Sequence, residues 1–511
     1  MAIASLLTSE WAPVALVGAF VAYYLMPYFV TYSNLRDIPA PFPAQFTNLW
    51  LLSVCRRGKR YEIVDQVHKR LGKVVRIAPN HVSIADAGAI NAIYGHGNGF
   101  LKSDFYDPFV SIRRGLFNTR NRAEHTRKRK LVSHTFAPKS VLEFEPYIKN
   151  NLELFVKQWD KIASTPHSDG AGHLDCLSWF NFLAFDIIAD LAFGKPFGML
   201  TTGADIAEVK TRPDAPAIYA PAVEIMNRRG EVSATLGCLP GLKPFAKYLP
   251  DPFFTQGLQA VENLAGIAIA RVSERLERGA TTDRKDLLAR LMQGRDEKGE
   301  PLGRDELTAE ALTQLIAGSD TTSNSSCALF YHVARTPGVF EKLRAEIDEV
   351  MGNDEEIPSY EAIKHLPYLG YVINETLRYH SPSGIGLPRE VPPNSRGVTI
   401  LGHYYGPGTV LSVPTYTIHH SKEIWGDNAD DFVPERWESL TDTQKIAFIP
   451  FSHGPRSCVG RNLAEMQMRL IAATWVKRYD VFLRQDVMET REGFLRKPLG
   501  LEVGITRRVY A

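Results

Sequence analysis

Hydrophobic and polar positions along this 511-residue chain fall into three kinds of pattern. Residues 11–30 carry no charge and are mostly apolar, which at a 1.5 Å rise gives roughly 30 Å of helix, one bilayer core. Trp11 at one end and Tyr23, Tyr24, Tyr28 and Tyr32 towards the other form the aromatic belts expected at membrane interfaces. A cleaved signal sequence is the competing reading, but the run is long for one and lacks a basic leader. Glu10 precedes the span and Arg36, Arg56, Arg57, Lys59 and Arg60 follow it, so the positive-inside rule puts the rest of the chain in the cytosol. The proline-rich stretch after it is a stiff hinge. The expected division is an anchor over residues 1–34, a hinge over 35–44 and one catalytic domain over 45–511.

The second pattern is alternation. Residues 73–84 alternate about Pro79-Asn80 and predict a β-hairpin. The tail from residue 481 also reads as strands. The third pattern is helical and dominates residues 141–293, with breaks at Pro240 to Pro244 and at Pro250-Asp251-Pro252. Residues 279–286 read as a surface loop and 296–301 as a polar turn. A helix then runs from about 304 to 335, roughly 45 Å long. Its apolar residues cover more than one face, which predicts burial. In its middle, residues 317–322 (Ala-Gly-Ser-Asp-Thr-Thr) are mostly poor helix formers, and Thr321 is placed to bond back to the Ala317 carbonyl and bend the helix. The fold class is mainly α with small β-sheets (α+β).

Composition removes several alternatives. A net charge of +2 gives no footprint for nucleic acid or a polyanion. The five cysteines are scattered with no C-x-x-C pair, so neither a zinc site nor a disulfide framework is indicated, and a reducing compartment fits. The glycines of residues 94–100 lack dinucleotide-site spacing and read as a loop.

The chemistry concentrates in Phe451-Ser-His-Gly-Pro-Arg-Ser-Cys-Val-Gly460, which delivers one cysteine just before a helical run. A thiolate there meets unpaired N–H groups of the helix's first turn. Gly454 and Gly460 leave room for a flat ligand, and Arg456 is placed to meet an anionic group on it. For a lone cysteine the better reading is a buried structural residue in a helix-entry turn. The whole pattern Phe-x-x-Gly-x-Arg-x-Cys-x-Gly, however, resembles the haem-binding loop of the cytochrome P-450 superfamily. The resemblance implies that Cys458 is the axial thiolate on haem b iron, with Phe451 and Arg456 beside it, and that its donation favours O–O cleavage.

Residues 317–322 resemble the superfamily's oxygen-binding turn, which implies that Thr321 holds a water chain and Asp320 supplies protons to it. Glu375-Thr-Leu-Arg378 and residues 432–437 resemble two further motifs, which implies a buried network of Glu375, Arg378 and Arg436 with a folding role. By position relative to these motifs, Arg389 and Arg129 are expected at the haem propionates. His125 stands where relatives carry tryptophan, and it is expected to contact the haem less securely than Arg129. Residues 35–41, 94–106, 114–119, 227–236 and 489–501 are similar to fungal benzoate para-hydroxylases. That similarity implies conversion of benzoate to 4-hydroxybenzoate with O2 and electrons from NADPH through a separate flavoprotein reductase, at the endoplasmic reticulum membrane.

A benzoate ion leaving water needs a cation or several donors for its carboxylate and an apolar slot for its ring. Arg113 or Arg114 is the expected anchor, with Arg496 a weaker candidate; the competing reading is that these arginines bind propionate or sit on the surface. The basic helix around 124–131 reads as a solvated face. The resemblance adds the reading that Arg127, Lys128, Lys130 and Arg461 dock an acidic reductase. The competing functions are the same chemistry on another small aromatic acid or phenylpropanoid, a haem sensor or carrier, and an isomerase that needs no reductase.

Overall fold

The computed structural model describes residues 12–278, 286–296, 299–352 and 357–509. Trp11, most of the 279–286 loop and two residues of the 296–301 turn lie outside these. The apolar run forms helix α1, Ala12–Phe29, and none of its described side chains is buried against the protein. Val14, Val17, Phe20 and Met26 are each more than half exposed. A contiguous apolar surface of this kind fits a lipid surrounding, so α1 is a candidate membrane anchor.

Seven further helices position the site: α2 (Arg122–Ser133), α3 (Cys176–Phe193), α4 (Ala222–Gly237), α5 (Pro252–Arg278), α6 (Arg304–Arg335), α7 (Pro367–Tyr379) and α8 (Arg461–Arg478). Helix α6 has the bounds expected from the sequence and runs through the core, packed by α3, α5, α7 and α8. Helix α3 is apolar enough to cross a membrane but is buried in the protein, because α6 and its other neighbours cover it. Asp175 starts α3 by accepting the N–H groups of Leu177 and Ser178 at 3.2 and 3.3 Å, satisfying donors that a helix start leaves open.

The expected hairpin is β1 (Val74–Ala78) with β2 (His81–Ile84). With β3 (Leu101–Lys102), β4 (Arg389–Glu390) and β5 (Val410–Ser412) it makes one sheet in the order β1-β2-β5-β4-β3, parallel only between β2 and β5. In the tail, β6 (Thr490–Glu492) and β7 (Arg496–Pro498) form a hairpin whose turn carries Phe494. The architecture is the mainly helical fold with small sheets that the sequence predicts. The stretch 141–293 differs in detail, since Gly172–Asp175 joins a sheet and Ala207–Val209 pairs with Ile218–Ala220. Strands of three or four residues are too short to impress a period of two on a helical background.

Candidate active site

One cavity of about 330 Å³ lies between α6, the cysteine loop, the β4 strand and the β6–β7 turn. Cys458 opens onto it from three residues before α8. The loop is fixed by its own backbone. Ser457 N–H donates to Gly454 O at 3.0 Å, and Cys458 N–H donates to Phe451 O at 2.8 Å. Gly454 has φ +68°, and a Cβ there would lie 2.0 Å from the Tyr94 carbonyl oxygen, so only glycine fits. Cys458 is exposed, its side chain open to the cavity, while the protein packed around that cavity desolvates the thiol and pushes it up. The Gly460 N–H and the charges of Arg129 and Arg461 oppose that rise. A thiol so placed ionises fully only when a cation joins it, which suits a metal ligand.

Three cations converge near this loop without a carboxylate partner among the described residues: Lys102, Arg389 and Arg456. Lys102 and Arg389 stand directly opposite each other on β3 and β4, an arrangement that repels unless an anion bridges it. Burial, then Arg389 and Arg456, push Lys102 well below the usual lysine range. Arg389 donates to Tyr106 Oη at 3.0 Å, while its Nη2 is buried without a partner. Arg456 donates to the Thr119 carbonyl at 2.6 Å. Such a cluster fits two buried propionates, and the thiol beside it fits the iron, so these residues suit a haem. Lys102 escaped the sequence analysis, since its pairing with Arg389 spans almost three hundred residues.

Across the cavity, α6 presents Ala317, Gly318, Thr321 and Thr322. Thr321 Oγ1 donates to Ala317 O at 2.6 Å, the back-bond expected from the sequence, which leaves its oxygen as an acceptor towards the cavity. A Cβ on Gly318 would lie 2.7 Å from Ile188 Cδ1, so any side chain there would force Ile188 of α3 to move. Asp320 does not line the cavity. It is buried, ion-paired with Lys497 on β7 at 2.9 Å and bonded by Asn324 at 3.2 Å.

Glu375, Arg378 and Arg436 form the expected buried network. Arg378 donates to both Glu375 carboxylate oxygens at 2.9 and 2.8 Å and to the carbonyls of His419, Ala429 and Asp431. Arg436 Nε at 3.0 Å, Trp437 Nε1 at 3.0 Å and the Val433 N–H at 2.9 Å also donate to the carboxylate. Burial works to raise Glu375, but Arg378 and Arg436 overcome it and hold the carboxyl below the usual range.

Other expected residues are placed differently. Arg129 does not line the cavity but braces the cysteine loop, donating to Ser457 O at 2.5 Å. His125 is buried off the cavity lining, pushed down to about 3 by burial and by the charges of Arg456, Lys102, Arg129 and Arg389, and is therefore neutral. Arg113 reaches the cavity rim, with Glu306 at 3.5 Å. Arg114 turns to Asp107 at 2.8 Å, off the lining, and Arg496 donates to Tyr379 O and stacks on Tyr61. The docking face needs correction. Lys128 is 1% exposed and paired with Glu306 and Glu310 on α6, and Arg127 is held by Glu124 and Glu306. Only Lys130 and Arg461 of that set are exposed, because α6 carboxylates have taken the others.

A thiol on a pre-helical loop, a cation cluster suited to propionates and a back-bonded threonine on a buried helix together define a haem-thiolate site. Residues 39–505 match the Cytochrome P450 family, and the chain belongs to it: it is a haem-thiolate monooxygenase. Among individual relatives, it is 62% identical to a benzoate 4-monooxygenase of Aspergillus niger over 99% of both chains. It is 30% identical to a cytochrome P450 monooxygenase of Aspergillus terreus over 92% of this chain and 95% of that one. It is 32% identical to a cytochrome P450 monooxygenase of Penicillium crustosum over 92% and 91%.

Proposed function

We propose that this chain hydroxylates benzoate at the carbon opposite the carboxylate, giving 4-hydroxybenzoate. O2 is the oxidant, and electrons come from NADPH through a separate flavoprotein reductase. The observation that carries this reading is the 62% identity, over essentially the whole chain, with the Aspergillus niger benzoate 4-monooxygenase. Helix α1 supports attachment to the endoplasmic reticulum membrane, with the anchor within residues 1–34, the hinge over 35–44 and a single cytosolic domain over 45–511. The part of the cavity walled by Phe109, Phe117 and Phe494 offers the apolar, aromatic surface that a benzene ring needs.

In this reading Cys458 ligates the iron, and Arg389, Arg456 and Lys102 neutralise the propionates. Arg129 steadies the ligating loop through Ser457 rather than by touching the haem. When bound, the haem supplies oxygen activation and transfer to the ring. Thr321 does the positioning that the chain itself contributes. With its proton committed to Ala317, its oxygen accepts from a water and holds that water's second proton towards the cavity. Asp320 replenishes those protons from behind, through Lys497 and solvent.

Turnover with reductase, NADPH and benzoate tests the reading by product analysis. The wild type should give 4-hydroxybenzoate, and Thr321→Ala should lower product per NADPH by about tenfold or more with benzoate affinity unchanged. A different hydroxylated aromatic acid as preferred product contradicts the substrate assignment. Unimpaired coupling in Thr321→Ala contradicts the role of Thr321.

A further inference from the structure

The cavity contains a second cationic group, separate from the propionate cluster. Arg229 projects from α4 into the lining with 6% of its surface exposed. Its neighbour Arg228 points outwards and pairs with Glu224 at 2.9 Å, since adjacent helix positions face about 100° apart. Arg229 Nη2 donates to the Phe109 carbonyl at 2.9 Å, but its Nε is buried without a partner. Among the described residues no carboxylate lies within ion-pair distance of it. Burial lowers it to about 10, with Asp320 the one charge opposing that fall, so it remains a cation at neutral pH. Arg389 is the cation that acts on both Lys102 and Arg456, whereas the charge that acts on Arg229 is Asp320.

Its surroundings suit one kind of ligand. The guanidinium lies over the Phe109 ring, 5.2 Å from the centroid, and Phe109 meets Phe494 at 5.0 Å, with Phe117 at 5.2 Å from Phe494. Ser111 Oγ, two residues beyond the carbonyl that Arg229 holds, is also buried without a partner and lines the same cavity. So does Gln314 Oε1 on α6. A buried cation with an open donor, beside an aromatic slot, favours a flat ring carrying one anionic group.

We infer that Arg229, aided by the Ser111 hydroxyl, binds the carboxylate of the aromatic acid substrate and thereby selects the carbon that is hydroxylated. The inference rests on the benzoate reading above, and it replaces Arg113 and Arg114 as anchors. Arg114 is spent on Asp107 outside the lining, and Arg113 is half exposed at the rim, where solvent screens it. A rigid ring gripped at its carboxylate has only one carbon diametrically opposite the grip, so a fixed anchor gives one product.

The test titrates the haem-loaded protein with benzoate and with methyl benzoate, a neutral ester of the same ring. Wild type should prefer benzoate by about two orders of magnitude. Arg229→Gln should weaken benzoate by about 100-fold and methyl benzoate by less than about threefold, and should release products hydroxylated at other ring positions. Arg229→Lys, which keeps the charge but loses the planar fork, should fall between. Equal binding of acid and ester by the wild type overturns the inference even where Arg229→Gln fails to load haem. Unchanged benzoate affinity in Arg229→Gln, or a larger loss in Arg113→Gln, also overturns it. A wild type that binds another aromatic acid in place of benzoate, with that binding lost in Arg229→Gln, removes the benzoate reading and upholds the anchor.

Discussion

Cys458→Ser is expected to lose turnover by about a thousandfold or more, about 4 kcal/mol of barrier, and to lose the thiolate-specific absorption of its reduced carbon-monoxide complex. The physical reason lies in the donor. A serine hydroxyl keeps its proton where a thiol beside a metal cation gives it up, so the electron donation that assists O–O cleavage disappears. The loop should keep its shape, because its bonds from Cys458 N–H to Phe451 O and from Ser457 N–H to Gly454 O use backbone only. The measurement is therefore clean: absorption of the reduced complex and turnover on protein that still contains haem. A Cys458→Ser protein with the thiolate signature intact would mean that another residue ligates the iron.

Glu375→Gln is expected to destabilise the fold by about 3–5 kcal/mol, because it strands the wholly buried Arg378 guanidinium and weakens its hold on Arg436. Haem content per protein should fall in proportion, and half-life on warming is the suitable readout for a chain this large. Protein that does retain haem should turn over normally, which separates a folding role from a catalytic one. Replacing all three charges, Glu375→Leu with Arg378→Met and Arg436→Met, should recover part of the loss, since an apolar cluster leaves no ion of the network unpaired. The sign with pH follows from the lowered carboxyl. Its stabilisation is complete above the ordinary carboxylate range and is lost as pH falls through the lower folded value. A kcat that drops in haem-loaded Glu375→Gln would argue for a part in the reaction.

Features that depend on neighbours in sequence were legible from the chain alone. The hairpin at 73–84, the bounds of α6, the Thr321 back-bond and the cysteine loop all arise within a few residues of one another. The Glu375 network was legible only through family resemblance, since Glu375 and Arg436 lie far apart in the chain. Features made by long-range pairing were hidden. Lys102 is one cation among many until β3 pairs with β4 and sets it opposite Arg389. Arg228 and Arg229 look alike in sequence, and only the packing of α4 against residues 104–109 decides which of the two is buried. The basic helix misled for the same reason, because Glu306 and Glu310 reach Lys128 from α6, nearly two hundred residues away. Charge runs show their sign in sequence but not their partners.

Optical titration of the purified ferric protein with benzoate tests the central claim most directly. A saturable shift from low-spin to high-spin haem is the predicted result, because a ring lodged in the cavity displaces water from beside the iron. Absence of any shift, in protein whose reduced carbon-monoxide complex shows the thiolate signature, would contradict benzoate as substrate and leave the haem-thiolate assignment standing.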